Sequence, residues 1–335
     1  MIRTVLGDID PAQLGTTDYH EHLFQVSPLL PGDELDDEPR SSVEAGHLRD
    51  SGFAAMIDAT PFGLGRDPEA LARISAATGL HIVATTGRHR EAHYDAAHPT
   101  RAAGAAQLTA LFVRDITTGM GVSDADPEAR PADSPTGHPV RAGILKGGID
   151  YWRISDFERT TLHALAAAHH ETGAAIMVHL EFCTAAHEVL DLLGERGVPA
   201  DRVVLAHADR DPDAGLHASL AERGAYLGYD GVARPRTRSD AELLALTADV
   251  VARGAGHRVL LGGDVARRTR YLAYGGMPGL AYLGDRYVPR LRALIGDESV
   301  DRMLRDNPAA LLRLGHARAT ESGAEIGVRP HLPSY

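Results

Sequence analysis

Cysteine is nearly absent: Cys183 stands alone among 335 residues. A disulfide framework is therefore excluded, and a reducing cytosol is the expected compartment. Long apolar runs are missing too. No stretch reaches the roughly 18 residues that a membrane-spanning helix needs, and "MIRTVLGDID" lacks the apolar core of a signal peptide. Positive charge is in deficit, with 34 Lys and Arg against 46 Asp and Glu, a net −12. Nucleic acid and anionic membranes are thus poor partners. Aromatics make up only 5%, with one tryptophan, Trp152, which argues against an aromatic-lined pocket.

What is present is a rhythm. Hydrophobic residues at 44% are ample for a large core, and 335 residues suit either two average domains or one large barrel. Short apolar runs end at "TTDYH", "GFAAMIDAT", "HIVATTG", "VRAGILK", "AAIMVHL", "RVVLAHA", "GAYLGYD" and "RVLLGGD". Longer Ala/Leu-rich segments lie between them. "TTLHALAAAHHETG" carries Leu162, Leu165, Ala166 and His169 on one face and stops at Gly173; "CTAAHEVLDLLGERG" and "SDAELLALTADVVARG" repeat the form. Apolar strands separated by helices predict a parallel sheet buried on both faces. Eight such units predict an α/β fold of the (β/α)8 TIM-barrel type, a single domain over 1–335 with its chemistry at the C-terminal strand ends. The Pro/Asp-rich stretches 121–139 and "PLLPGDELDDEPR" read as loops rather than linkers, because the alternation resumes after each.

The histidines need weighing. With 18 in the chain, about one H-x-H arises by chance, so His20 and His22 taken alone are weak evidence. Strand parity strengthens them, since residues i and i+2 face one side and both can project into the barrel mouth. The other strand ends supply Lys146, His179, His207 and Asp264. Taken singly, each has a plain structural alternative: a core histidine, an ordinary lysine, a helix-capping aspartate. Together, imidazoles and a carboxylate at one rim suit zinc and similar divalent ions. Gly262 and Gly263 fit close backbone approach beside Asp264, and "LGGD" lacks the Lys and Ser/Thr of a phosphate loop. His81, His93, His98, His138, His169, His170 and His217 gain no metal role from their spacing, and Cys183 reads as a small packing residue.

A lysine among metal ligands is anomalous, and it is where the chain resembles a known family. "TVLGDIDPAQLGTTDYHEHLF", "IDATPFGLGRD", "IVATTG", "VRAGILKGG", "IMVHLE", "VVLAHADR", "LLGGD" and "MLRDNPAALL" follow the order of the phosphotriesterase family of the amidohydrolase superfamily, nearly end to end. The resemblance implies two divalent ions, zinc first and manganese or another in its place. His20, His22 and Asp264 would hold the more buried ion, and His179 and His207 the more exposed one. Lys146, carboxylated by CO2, would bridge them with a hydroxide that attacks the substrate, while Asp264 takes and passes on the proton.

The strand-end loops carry positive charge in an acidic chain. Arg88 and Arg90 follow strand three; Tyr229, Arg234, Arg236 and Arg238 lie at and after strand seven; Arg267, Arg268, Arg270 and Tyr271 follow strand eight. Such a set predicts a small anionic or polyhydroxylated substrate, with Arg88, Tyr229, Arg234, Arg267, Arg268 and Tyr271 as its contacts. "ARRTRYLAYGGMPGLAYL" is similar to the matching segment of family members that open sugar lactones, some phosphorylated. The expected activity is therefore sugar-lactone hydrolysis. The rivals are a carboxylesterase or organophosphate hydrolase, and a non-catalytic binding protein on the same fold. The chain departs from the better-known branch at Arg88, where an aromatic is usual, which argues against hydrophobic acyl-lactones. The sequence leaves the oligomeric state open; members of the family are often homodimers, and "DDEPR" or the C-terminal tail could serve as an interface.

Overall fold

The computed structural model describes residues 1–315. Two short strands, β1 (Ile2–Thr4) and β2 (Gly7–Ile9), form an antiparallel hairpin ahead of the barrel. Eight parallel strands then follow in simple order: β3 (Thr17–Glu21), β4 (Ala55–Asp58), β5 (His81–Gly87), β6 (Ala142–Gly148), β7 (Ile176–His179), β8 (Val203–Ala206), β9 (Tyr226–Tyr229) and β10 (Val259–Leu261). All eight strands anticipated from the apolar runs are there. Between them come helices α1 (Glu38–Asp50), α2 (Pro68–Thr78), α3 (Ala105–Thr117), α4 (Asp156–Thr172), α5 (Ala186–Glu195), α6 (Ala214–Glu222) and α7 (Asp240–Ala252), with α8 (Val288–Ile295) after the last strand. The result is a nearly closed (β/α)8 barrel. The hydrogen bond from Asp264 N to His20 O, 2.9 Å long, draws the two edge strands together.

Local chemistry explains the boundaries. Ser155 and Ser239 cap α4 and α7 in reciprocal capping boxes with Glu158 and Glu242. Gly173 closes α4 in the left-handed conformation at φ 70°, as its stop position predicted. Gly262 and Gly263 are needed for closure: a Cβ on Gly262 would lie 2.8 Å from Asp18 Oδ1 and 3.0 Å from His20 N, and one on Gly263 would strike the Glu21 carboxylate. The 121–139 segment is irregular, yet Asp124 within it anchors Arg66 (2.8 Å) and accepts from Gly65 N (2.7 Å). Among the described residues no helix is long and apolar enough to cross a membrane. The tail named above as a possible interface lies outside the described residues, apart from its first, Gly315.

Candidate active site

Register sets the height of each side chain. Gly148, His179 and Ala206 align across β6, β7 and β8, and Lys146 pairs with Gly87 and Met177, so the polar residues gather at the C-terminal rim. There a cavity of about 240 Å3 is lined by His20, His22, Lys146, His179, His207 and Asp264, the six residues singled out in the sequence. All six are buried. Ligand atoms of His20, His22 and Asp264 lie within 4.8 Å of one another, and so do those of His20, His207 and Asp230. His207 and Asp264 hold left-handed backbones at φ 61° and 43°, a cost tolerated where surrounding structure enforces it.

The histidines are oriented by partners that leave lone pairs facing inward. Thr60 Oγ1 donates to Phe24 O (2.7 Å), so it accepts from His22 Nδ1 (2.7 Å), which turns His22 Nε2 toward Asp264 Oδ1 at 3.6 Å. His207 Nδ1 donates to Asp230 Oδ1 (2.7 Å), and His179 Nε2 to Glu181 Oε1 (2.9 Å). Burial pushes both imidazoles down into the neutral form, one proton each. Their remaining nitrogens, His207 Nε2 and His179 Nδ1, therefore meet as two lone pairs 2.8 Å apart. Only a positive centre reconciles them, and imidazoles backed by carboxylates in this way are the usual setting of metal ligands. The donor set thus fits divalent cations.

Charge is tuned around this cluster. Burial lowers the Lys146 amine to about 8, with Asp264, Asp230 and Asp58 pulling the other way, and its Nζ lies 3.1 Å from His20 Nε2. About a tenth of the amine is therefore neutral at pH 7, far more than for an ordinary lysine, and that is the form that reacts with CO2. Burial would raise the Asp264 carboxyl, but the Arg234 guanidinium paired with Oδ2 outweighs it and holds it well below the usual carboxylate range. Asp230 is treated alike by His207 and His20 against the same burial cost.

The arginine contacts need correction. Arg234 and Arg267 do line the cavity. Arg88, Tyr229, Arg268 and Tyr271 do not. Arg88 keeps the outward parity of Thr86, which bonds Asp115 on α3; its guanidinium packs 3.4 Å over the Phe157 ring and donates to Thr161 Oγ1 and Phe157 O of α4. The aromatic-to-arginine departure at this position therefore has no bearing on the pocket wall. Tyr271 is fully buried with its hydroxyl on His22 O, Tyr229 bonds His217 Nδ1, and Arg268 stacks on Tyr274. In their place stand Arg90 and Arg210, with Glu181 between them at 3.1 and 3.7 Å. His89 and His93, ring centroids 3.9 Å apart, complete that wall.

Sequence reasoning also passed over Asp230, although it ends the seventh strand run just where the other ligand candidates end theirs. Glu181 was equally findable, two residues beyond His179 and on the same side.

Comparison with known proteins agrees with this architecture. The model of the phosphotriesterase family matches residues 1–312. A phosphotriesterase homology protein of Mycobacterium tuberculosis is 31% identical over 92% of this chain and 96% of its own length. A phospho-furanose lactonase of Mycoplasmopsis synoviae is 28% identical, covering 94% and 92%. The crystal structure of a lactonase from Listeria monocytogenes superimposes with a TM-score of 0.82 at 30% identity, covering 94% of this chain and 99% of that one.

Proposed function

The chain belongs to the phosphotriesterase family and is a hydrolytic enzyme acting on ester bonds; we propose that the ester it opens is a sugar lactone. His20, His22 and Asp264 would hold one divalent cation, His179 and His207 a second, and Lys146, carboxylated on Nζ, would bridge both. Zinc suits the donors, and manganese is compatible with them. When bound, such a pair of cations lowers the pKa of a water between them and polarises the lactone carbonyl.

The chain's own groups do the rest. Carboxylation joins CO2 to the neutral Lys146 amine with loss of one proton, which turns a cation into an anion that offsets metal charge. Asp264 lines the cavity, is kept ionised by Arg234 on its Oδ2, and would accept the proton of the attacking water. A C–O bond forms at the carbonyl, the ring C–O bond breaks, and Asp264 hands the proton to the departing ring oxygen. His89, His93 and the buried strand ends keep bulk water from the other faces.

The observation that carries the reading is the convergence of six candidate ligands, His179 and His207 among them, on one cavity. The substrate class rests on the wall. Arg90, Arg210, Arg234 and Arg267 face the cavity, whereas its apolar lining is limited to Pro61, Leu29, Leu30, Leu64 and Ala266. A polar or anionic ring is favoured over a neutral triester. The volume of about 240 Å3 lies under the roughly 300–1,000 Å3 of drug-sized sites, which suits a single small ring. A phosphorylated lactone is the second reading, favoured by Arg267: half-exposed at the rim, it has Asp33 at 3.6 Å as its one ion-pair partner among the described residues. A library of sugar lactones with and without phosphate, read by proton release from metal-loaded enzyme, tests both. Turnover of aryl esters or triesters without any lactone turnover would reject the proposal.

A further inference from the structure

Three exposed aromatic side chains stand together at the rim: Tyr151 (59% exposed), Trp152 (65%) and Phe182 (48%). Tyr151 lies edge-to-face with both others, its ring centroid 6.5 Å from Trp152 and 6.1 Å from Phe182. In a chain so poor in aromatics, this clustering in water calls for a cause. The backbone adds a second oddity. Trp152 and Phe182 are both left-handed, at φ 49° and 53°, which costs on the order of 1–3 kcal/mol each and persists only when enforced.

The enforcement comes from the active site. Arg90 forks between two loops, with Nη1 3.0 Å from Asp150 and Nη2 3.1 Å from Glu181. Each carboxylate immediately precedes an exposed ring: Asp150 leads into Tyr151 and Trp152, Glu181 into Phe182. Trp152 N also donates to Thr184 Oγ1 (3.0 Å), tying the loops together. Because Arg90 and Glu181 line the cavity, the rings continue its wall outward. They follow β6 and β7, whereas Arg267 follows β10, across the barrel.

We infer that this aromatic platform binds a second sugar ring, so that the preferred substrate is the lactone of a glycosylated aldonic acid. The inference rests on the lactonase reading and extends it. A cavity of about 240 Å3 takes one ring, and a second must lie outside. The electron-rich faces of Trp152 and Tyr151 attract the C–H face of a pyranose, while Asp150 and Arg90 beside them offer an acceptor and donors to its hydroxyls. An acyl chain would call for an enclosed groove, and this platform is open. A protein partner would need roughly 800 Å2 on each side, whereas three half-exposed rings offer about 300 Å2.

The test compares cellobionolactone with gluconolactone, corrected for spontaneous hydrolysis. In parallel, the emission of Trp152, the sole tryptophan, is followed during titration with cellobionate or gluconate. The glycosylated lactone should show about tenfold higher kcat/KM, and Trp152→Ala and Phe182→Ala should each cut that ratio several-fold. Cellobionate, and not gluconate, should shift the emission. A ratio near one, or one unchanged in both variants, would overturn the inference. So would an equal gain for γ-nonanolactone over γ-butyrolactone, which would make the platform a general apolar surface. If no lactone is turned over but cellobionate still shifts the emission, the lactonase reading fails and the platform stands. Turnover of both sugar lactones without any shift defeats the platform alone.

Discussion

His207 Nε2 and His179 Nδ1 face each other at 2.8 Å with their other nitrogens already committed to Asp230 and Glu181. With one proton each already donated outward, neither neutral imidazole can donate into that gap, and two lone pairs facing each other make a place for positive charge. The carboxylates behind the rings set how firmly that charge is held.

Asp230→Asn keeps the shape beside His20 and His207 and removes the anion. Competition against a graded chelator should show metal affinity lowered about 10–100-fold, with thermal stability little changed. Unaltered affinity would mean that Asp230 serves packing alone.

Arg267 and Arg88 should separate cleanly. Arg267→Ala should raise KM for an anionic lactone several-fold more than for its neutral analogue, leaving kcat similar. Arg88→Ala should leave that anion preference intact while destabilising the fold by roughly 3 kcal/mol in urea melts, since it empties a buried site and strands Phe157 O and Thr100 O. A swap of these two outcomes would restore Arg88 to the pocket.

His217 offers a handle on pH. Burial lowers its folded pKa from 6.5 to about 4, and its Nδ1 is bonded to the Tyr229 hydroxyl. Between those values the unfolded chain binds the proton and the folded chain does not. Stability is therefore full above pH 6.5 and is lost as pH falls toward 4, by up to about 3 kcal/mol. His217→Gln should flatten this part of the stability curve; an unchanged slope would place the acid sensitivity elsewhere.

The carbamate proposed on Lys146 leads to a chemical rescue. Lys146→Ala should lose activity by several orders of magnitude, and a short carboxylic acid supplied in solution should restore part of it by occupying the vacated position. Full metal retention without rescue would contradict a bridging role.

The metal-ligand candidates were legible because two simple periodicities converge on them. Apolar runs of four to seven residues marked the strands, and in a parallel barrel whatever polar residue ends such a run lands at one rim. His20, His22, Lys146, His179, His207 and Asp264 all obey that rule. So does Asp230, overlooked because a lone aspartate after a tyrosine carries no motif. The arginines were not legible for a different reason. Beyond Gly87 strand parity carries Arg88 outward onto Phe157, and the turn that follows swings Arg90 into the mouth. That choice depends on α4 packing against β6, which no local pattern in "GRHREAHY" encodes. His93, at the cavity, is likewise bonded to Ser27, far away in sequence, at 2.9 Å.

The central claim is that one chain holds two divalent ions. Elemental analysis of protein purified without chelator, paired with the same analysis on Lys146→Ala, tests it most directly. The account predicts about two metals per chain in the natural protein and a marked loss in the variant. Fewer than one per chain under metal-replete conditions, or equal occupancy with Lys146 replaced, would contradict it.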